Sequence, residues 1–224
     1  MKVVIINGSP RTQGFTASVL RNMEKALRDR GAEVDLIDLS RVSLSQCKGC
    51  CSCYAMGYCP IDDDGEMISS KIREADGLIL GSPTYASNVS GYMKVLIDRG
   101  HFVIEQLLLG KYCVTVATGE NYGSSDAGKI LDKLILYSGG RRVSKIVRNA
   151  PFNSIRTDMY LEDTTAVKAA EKLYSAISEK KSYPLQAIYH RVIFSLGIMP
   201  FVRKKGELYK GVTDKWKELG IEQV

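Results

Sequence analysis

The sequence lacks the features of a membrane, secreted or nucleic-acid-binding protein. It has no internal repeat, no low-complexity block and no apolar run near the roughly 18 residues of a transmembrane helix. Only four consecutive apolar residues precede Asn7, too few for the core of a signal peptide. No basic stretch is interleaved with aromatic residues as nucleic-acid binding requires. We therefore expect a cytoplasmic protein that binds no nucleic acid, and for the C-terminal tail we favour a subunit contact over a membrane-surface contact.

Candidate acid–base and nucleophilic catalysts are also few. The chain contains two histidines, His101 near the end of a predicted helix and His190 in the C-terminal tail. Both fit packing or surface positions better than catalysis. Ser124 and Ser125 stand outside the G-x-S-x-G turn of serine hydrolases. We predict no catalytic side chain, and a hydrolase is not supported.

Cysteine, in contrast, is concentrated in one place, because five of the six cysteines fall between residues 47 and 59. Four of them form a C-x2-C-x2-C-x5-C run that ends in Cys-Pro, close to the bacterial ferredoxin pattern but with a longer last gap. Gaps of two residues let consecutive thiolates face one centre. The run therefore predicts an iron–sulfur cluster and one-electron redox chemistry.

Two other interpretations of the cysteines remain open. Zinc usually takes two separated pairs of ligands, which one contiguous run suits poorly. Reactive or empty thiols also fit a cytosolic chain, where dense cysteine indicates metal or thiol chemistry rather than disulfides. Cys51 is a fifth thiol outside the pattern, without an assigned role. Cys113 lies in an apolar run and is expected to be a buried small hydrophobe.

Alternating strand and helix patterns predict an α/β fold. Short apolar runs predict strands at 2–6, 34–39, 77–81, 112–117 and 142–147, and apolar stripes predict helices at 16–30, 62–75, 90–109, 123–137 and 164–179. Five such units imply a flavodoxin-like, doubly wound, five-stranded parallel sheet in the order 2-1-3-4-5. Residues 1–180 would form this domain, and residues 181–224 a C-terminal helical extension.

The extension is basic and amphipathic. The chain has a net charge of +6, and the tail from Lys181 to Lys217 holds eight basic and two acidic residues. Such a face either docks an acidic partner or is simply solvated, and we favour the solvated surface. Its apolar spacing suits an amphipathic helix that packs on the core or on another subunit.

The loop after the first strand, residues 7–16, has the composition of a phosphate site. It joins a buried strand to a helix N-terminus, where free amides and the helix dipole attract an anion. Ser9, Thr12 and Thr16 offer hydroxyls, and Arg11 offers a fixed charge. The loop is neither a Walker A sequence nor a G-x-G-x-x-G motif. A turn that only caps the helix is the alternative.

The loops after the third and fourth strands should reach the same edge of the sheet, because ligands bind outside the carboxyl ends of such strands. In residues 81–91, Tyr85 could cover a flat ring and Asn88 could bond ring carbonyls. Residues 117–124 contain two glycines and Tyr122, a second candidate cover. A phosphate site beside two aromatic-bearing loops fits flavin mononucleotide (FMN) best.

These motifs resemble those of the flavodoxin-like NADPH-dependent FMN reductase superfamily, and specifically its iron–sulfur flavoprotein branch. The residues that carry the resemblance lie within 1–110 and are Asn7–Arg11 with Gly14 and Thr16, the cysteine run, Asp62–Asp64, Gly81–Tyr85, Ser90–Lys94 and Asp98–Arg99. Residues 111–180 agree with the fold only loosely. Cys51, between two of the expected ligands, is a departure that leaves open which thiols bind.

The resemblance implies two cofactors and their contacts. It implies an FMN phosphate on Ser9, Arg11, Phe15, Thr16 and Ala17, and FMN ring contacts from Pro83, Thr84, Tyr85, Ala86, Ser87, Asn88, Thr118, Gly119, Tyr122 and Gly123. It implies a [4Fe–4S] cluster on Cys47, Cys50, Cys53 and Cys59. It also implies a homodimer or homotetramer.

The expected function is an FMN-dependent oxidoreductase that relays electrons between the cluster and FMN. The donor would be ferredoxin or NAD(P)H, and the acceptor a small molecule such as oxygen, peroxide or a quinone. One alternative is a cluster-free NAD(P)H-dependent FMN or quinone reductase. A second is a non-enzymatic FMN-binding thiol or zinc module.

Overall fold

The computed structural model describes residues 1–150 and 163–221. In this part of the chain the strands are β1 (Lys2–Asn7), β2 (Glu33–Asp38), β3 (Gly77–Tyr85), β4 (Asn88–Val89), β5 (Tyr112–Gly119) and β6 (Arg141–Asn149). Five of them pair in parallel in the order β2-β1-β3-β5-β6, and β4 pairs antiparallel with the end of β3. The predicted flavodoxin-like α/β sheet is confirmed, and the extra two-residue strand β4 is the difference from the predicted order.

Within the described residues, five helices lie in the connections between the strands, and four follow the last strand, β6. They are α1 (Phe15–Arg28), α2 (Ser52–Met56), α3 (Gly65–Glu74), α4 (Gly91–Arg99), α5 (Ser124–Tyr137), α6 (Thr164–Ser178), α7 (Pro184–Ile193), α8 (Met199–Lys205) and α9 (Lys210–Glu218). Most of these bounds lie close to the predicted ones, because the apolar stripes that predicted them are the buried faces of the helices.

The core has two layers, one on each face of the sheet. Because side chains alternate along a strand, Val4 and Ile6 of β1 face a cluster with α3, α4 and α5, whereas Val3 and Ile5 face a cluster with α1 and α6. Cys113 of β5 is fully buried, as predicted, and burial raises the pKa of its thiol to about 12. This layering leaves the carboxyl ends of the strands open at one edge.

The predicted helix 90–109 is wrong in length, because α4 ends at Arg99. A Cβ on Gly100 would come within 2.2 Å of the Phe102 ring. His101 adopts φ 48°, and a residue in the left-handed region cannot continue a right-handed helix. Residues 102–110 form turns instead.

The extension is helical, and α7, α8 and α9 follow one another within a 35-residue helical segment, Pro184–Glu218. By length and composition alone this segment is long and apolar enough to cross a membrane. The expectation about membrane contact rested on uninterrupted apolar runs, and this finding leaves it untested. No uninterrupted apolar run has that length, but the polar residues between the apolar ones are too few to lower the average hydropathy.

Candidate functional site

Hydrogen bonds join the three loops that leave β1, β3 and β5. The Gly8 amide donates to the Gly81 carbonyl at 2.8 Å, and Ser90 Oγ donates to the Gly8 carbonyl at 2.5 Å. The hydroxyls of Thr16 and Thr118 lie 2.7 Å apart and share a hydrogen bond. The three loops therefore converge at the carboxyl edge of the sheet, where a doubly wound fold binds its ligand.

The N-terminus of α1 is built to receive an anion. Its N-cap residue is Gly14, which offers no side chain to the amides of the first turn. The Ser9 hydroxyl accepts from the Arg11 amide and donates to the Arg11 carbonyl, both at 3.1 Å, and this fixes the loop before the helix. Ser9, Thr16 and Ala17 are buried beside the helix end. Exposed amides and a positive dipole end fit a phosphate.

The loop after β3 contains a buried hydroxyl that lacks a partner. Thr84 Oγ1 is inaccessible to solvent and makes no hydrogen bond with any described residue. An unsatisfied buried hydroxyl costs about 1–3 kcal/mol, so it indicates a missing ligand atom. Next to it, Ala86 and Ser87 adopt φ of 48° and 60°, and a Cβ on Gly123 would come within 2.8 Å of the Ser87 Cα. The loops after β3 and β5 thus touch around this hydroxyl.

All the predicted cofactor residues lie on these three loops. The first loop and the start of α1 hold Ser9, Arg11, Phe15, Thr16 and Ala17; the end of β3 and its turn hold Pro83, Thr84, Tyr85, Ala86, Ser87 and Asn88; the end of β5 and its loop hold Thr118, Gly119, Tyr122 and Gly123. The Tyr85 and Tyr122 rings are 48% and 73% exposed, so both remain available to cover a flat ligand.

A cavity of about 390 Å³ opens beside the first and second of these loops. Its lining includes Pro10, Tyr85 and Tyr92, and also Gln46, which precedes Cys47. A larger cavity of about 620 Å³ lies at the opposite edge of the sheet, between the starts of β5 and β6 and helix α7. The smaller cavity connects the candidate flavin loops to the cysteine loop.

Two positioning residues have no counterpart in the sequence-based predictions. Ser90 Oγ accepts from the Met93 amide and so caps α4, and it also donates to the Gly8 carbonyl, which ties α4 to the first loop. Asn149, at the end of β6, accepts from Ser124 Oγ at 2.9 Å and donates to the Asn121 carbonyl at 3.1 Å. Asn149 could have been recognised from the sequence, because it is a polar residue near the end of a predicted strand.

The four predicted metal ligands lie on one loop between β2 and α3. Cys47 and Cys50 are exposed, Cys53 and Cys59 are half-buried, and all are free thiols. Hydrogen bonds from Ser52 lower the pKa of Cys50, which favours the thiolate that binds metal. Within residues 1–150 and 163–221 no three His, Cys, Asp or Glu side chains are gathered as metal ligands. Four cysteine thiols are a suitable set of ligands for a cluster, although in this structure they do not surround a common point.

A buried ion pair joins the two ends of the cysteine loop. The Arg99 guanidinium makes two 2.9 Å bonds to the Asp63 carboxylate, and both side chains are 2% exposed. Arg99 also donates to the Ser45 carbonyl, and Asp63 accepts from the amides of Ser45 and Gly65. Burial raises the pKa of Asp63, but these bonds outweigh it and hold the pKa well below its usual range.

Two basic side chains at the end of α4 approach the thiols. Arg99 Nε is buried without a partner among the described residues, and its bonds to Asp63, with a lesser contribution from Cys59, raise the pKa of the Arg99 guanidinium. His101 Nδ1 lies 3.0 Å from Glu105 Oε1. Burial lowers the pKa of His101, but hydrogen bonds with Cys53 and Glu105 outweigh burial and raise it to about 10. The loop therefore faces positive charge, which stabilises thiolates.

Solved structures with the same arrangement define the class of protein. An NAD(P)H:quinone oxidoreductase from Methanothermobacter marburgensis aligns with a TM-score of 0.61 at 18% identity, over 77% of this chain and 98% of that one. A flavodoxin from Streptococcus pneumoniae TIGR4 aligns with a TM-score of 0.51 at 18% identity, over 78% and 97%. The fold is therefore that of the flavodoxin-like proteins.

Sequence comparison narrows the class to a family. Residues 1–147 match the model of the NADPH-dependent FMN reductases. An iron–sulfur flavoprotein of Clostridioides difficile (strain 630) is 37% identical over 99% of this chain and 100% of its own length, and one of Archaeoglobus fulgidus is 29% identical over 99% and 100%. The chain belongs to the NADPH-dependent FMN reductase family, in its iron–sulfur flavoprotein branch. It is an FMN-dependent oxidoreductase.

Proposed function

We propose that this protein relays electrons between a [4Fe–4S] cluster held by the cysteine loop and FMN held by the three convergent loops, and passes them to a small acceptor. The observation that supports the relay most directly is the shared cavity, which is lined by Gln46, the neighbour of Cys47, and by Pro10, Tyr85 and Tyr92 of the flavin side. The two candidate sites are therefore adjacent rather than on separate faces of the molecule.

The three loops would share the binding of FMN. The amides at the start of α1, with Ser9 and Arg11, would hold the phosphate. Thr84 Oγ1 would bond a polar atom of the ligand, and Tyr85 and Tyr122 would cover the ring and exclude water. These residues bind and orient; none is required to transfer a proton.

The cysteine loop would supply the second group. Cys47, Cys50, Cys53 and Cys59 would be the four thiolate ligands. When both groups are bound, FMN exchanges one or two electrons and a cluster exchanges one, which is what a relay between single-electron and two-electron partners requires. The donor we propose is ferredoxin or NAD(P)H. A nicotinamide donor is supported by the family description and by an FMN reductase (NADPH) of Escherichia coli, 28% identical over 53% of this chain and 56% of its own length.

The test compares two donors in two proteins. Wild type and Cys50→Ser, both replete in FMN, are mixed anaerobically with reduced ferredoxin or with NADPH, and flavin reduction is followed by stopped-flow absorbance. The relay predicts that Cys50→Ser loses most of the ferredoxin-driven rate and keeps the NADPH-driven rate. Equal ferredoxin-driven rates would instead support a cluster-free NAD(P)H-dependent reductase.

We also propose that the protein is a homodimer or homotetramer. The exposed side of α7 and the residues after it carry Leu185, Ile188, Val192 and Leu196, which are 81%, 61%, 50% and 79% exposed. Apolar side chains at helical spacing on a surface are typical of an interface. Light scattering on the wild type and on a Leu185→Gln, Ile188→Gln, Leu196→Gln variant tests this proposal, which predicts a smaller particle for the variant.

A further inference from the structure

The cysteine loop contains one regular element, and that element packs on the extension. α2 holds Cys53, and α9 lies directly against it. The backbones come very close at Gly57, just after α2, and Gly211 in α9. A Cβ on Gly211 would come within 2.1 Å of the Gly57 nitrogen and 2.7 Å of the Met56 carbonyl carbon. Backbone touches backbone here, so no side chain can be added without separating the two helices.

A stacked ring pair supports the same contact one turn away. The Tyr54 and Tyr209 rings lie 4.6 Å apart between centroids at an angle of 21°. The Phe201 ring also packs edge-on against Tyr209, with the centroids 5.7 Å apart. Aromatic pairs of this kind contribute about 0.5–1.5 kcal/mol beyond their buried area. Tyr54 adjoins Cys53, so the stack restricts the backbone that presents that thiol.

Polar contacts connect α9 to Glu105 and His101 in the turn after α4. Lys215 Nζ donates to Glu105 Oε2 at 2.6 Å, and the other oxygen of Glu105 contacts His101 Nδ1 at 3.0 Å. The Trp216 indole donates to the Ile104 carbonyl at 2.9 Å. One helix of the extension thus fixes both α2 and the turn after α4.

These contacts belong to a hydrophobic cluster separate from the two layers of the sheet. Its buried members are Phe194, Met199, Val202, Val212, Trp216 and Ile221, and Tyr54 packs against them. None of the three flavin loops contributes a side chain to this cluster among the described residues. The extension therefore supports the cysteine loop and leaves the flavin loops to the sheet.

We propose that the C-terminal extension is a structural part of the cysteine centre, with Gly211, Tyr209 and Lys215 as positioning residues that hold α2 and thereby Cys53 in place. This inference rests on the proposed cluster where iron binding is measured. It does not need the cluster where the reactivity of the Cys53 thiol is measured in metal-free protein. It assigns no substrate contact to the extension. It predicts that loosening α9 from α2 impairs the metal site and leaves FMN binding intact.

The test uses the full chain with Gly211→Ala and a matched control, Gly197→Ala. Both glycines lie in the helical extension without positive φ, so alanine favours the helix at both positions. A Cβ on Gly197 meets nothing within 4 Å, whereas a Cβ on Gly211 meets backbone. Iron, sulfide and FMN per chain are measured after anaerobic reconstitution, together with the visible and EPR spectra.

We expect Gly211→Ala to bind metal about tenfold more weakly, as loss of an outer-shell contact does, with unchanged FMN. Gly197→Ala should match the wild type. Equal iron content and identical spectra in Gly211→Ala would overturn the proposal. FMN content shows that the sheet domain is folded in each variant. Tyr209→Phe, which keeps the stack, should behave as wild type, and Tyr209→Ala should lose iron as Gly211→Ala does.

A second readout separates this inference from the cluster itself. In the metal-free chain, the alkylation rate of Cys53 is measured by mass spectrometry, with Cys50 as the internal reference. The inference predicts faster alkylation of Cys53 in Gly211→Ala and in Tyr209→Ala, at an unchanged Cys50 rate. If wild type binds no iron yet Cys53 responds this way, the relay fails and the positioning role stands. Unchanged Cys53 rates contradict the positioning role.

Discussion

The candidate flavin site and the cysteine loop are held in different ways. The three flavin loops leave buried parallel strands and bond to one another, as Gly8 does to Gly81 and Thr16 to Thr118. The cysteine loop leaves an edge strand, contains the five-residue α2 as its one helix among the described residues, and depends on contacts from Arg99 and from α9. The flavin site is thus preformed by the sheet, whereas the cysteine site is supported from outside it.

The largest expected effect comes from removing a ligand. Cys53→Ser should abolish incorporation of iron, because a [4Fe–4S] cluster needs its four thiolates, while FMN binding persists on the other three loops. Cys51→Ser, which changes the fifth thiol outside the pattern, is the control and should keep its iron. Metal analysis and FMN absorbance measure both. Loss of iron in Cys51→Ser with retention in Cys53→Ser would reverse the assignment.

The next effect concerns the buried ion pair between Arg99 and Asp63, which joins the two ends of the cysteine loop. Arg99→Met should lower the free energy of unfolding by about 3–5 kcal/mol, because it leaves the buried Asp63 carboxylate without its charged partner. Lys94→Met, on the same helix, breaks an exposed pair with Asp98 and should change it by about 0–1 kcal/mol. Urea titration measures both. Similar values for the two variants would show that the pair does not stabilise the loop.

Acid should weaken the ion pair between Arg99 and Asp63. The folded-state pKa of Asp63 lies below its unfolded value, so the folded state binds this proton less readily. The stabilisation is therefore fully present above the unfolded pKa of about 4 and is lost as the pH falls below it. Urea midpoints between neutral and acidic pH should fall less steeply in Asp63→Asn than in wild type. Parallel pH profiles would contradict this linkage.

A smaller effect is expected where two flavin loops touch. Gly123→Ala places a Cβ against Ser87 at a residue with φ 81° and should weaken FMN binding, with a backbone strain of about 1–2 kcal/mol. Gly31→Ala carries the same kind of strain, at φ 84°, with nothing within 4 Å of its Cβ. Fluorescence titration with FMN should therefore show weaker FMN binding in Gly123→Ala and an affinity close to wild type in Gly31→Ala. Equal FMN affinities would place the ligand away from Gly123.

The smallest effect tests the buried hydroxyl that lacks a partner. Thr84→Val removes Thr84 Oγ1 at nearly constant volume. FMN-free protein should be slightly stabilised, while FMN affinity falls by about 0.5–1.5 kcal/mol because one hydrogen bond to the ligand is lost. Thermal unfolding without FMN measures the gain in stability, and a binding titration measures the loss of FMN affinity. A variant with unchanged FMN affinity would remove Thr84 from the site.

The comparison also explains what the sequence could predict. The strands and the loops of the flavin site follow from local patterns: buried apolar runs, the glycines and hydroxyls after them, and helix stripes. The parallel topology then brings those loops to one edge. The residues predicted to contact FMN lie there because strand ends and ligand loops are encoded within short segments.

The support of the cysteine loop could not be predicted in this way. Arg99 and Asp63 are 36 residues apart, and Lys215 and Glu105 are 110 apart. No local pattern links such partners. The end of α4 was missed because Gly100 and the left-handed His101 stop a helix whose apolar spacing continues. The Gly57–Gly211 contact depends on the absence of side chains, which leaves no periodic signal.

The most direct test of the relay is the iron and sulfide content per FMN of protein purified without oxygen. The account predicts about four iron atoms and about four sulfides per FMN, as a [4Fe–4S] cluster requires. Protein that is replete in FMN, fully active with NADPH and free of iron would contradict it.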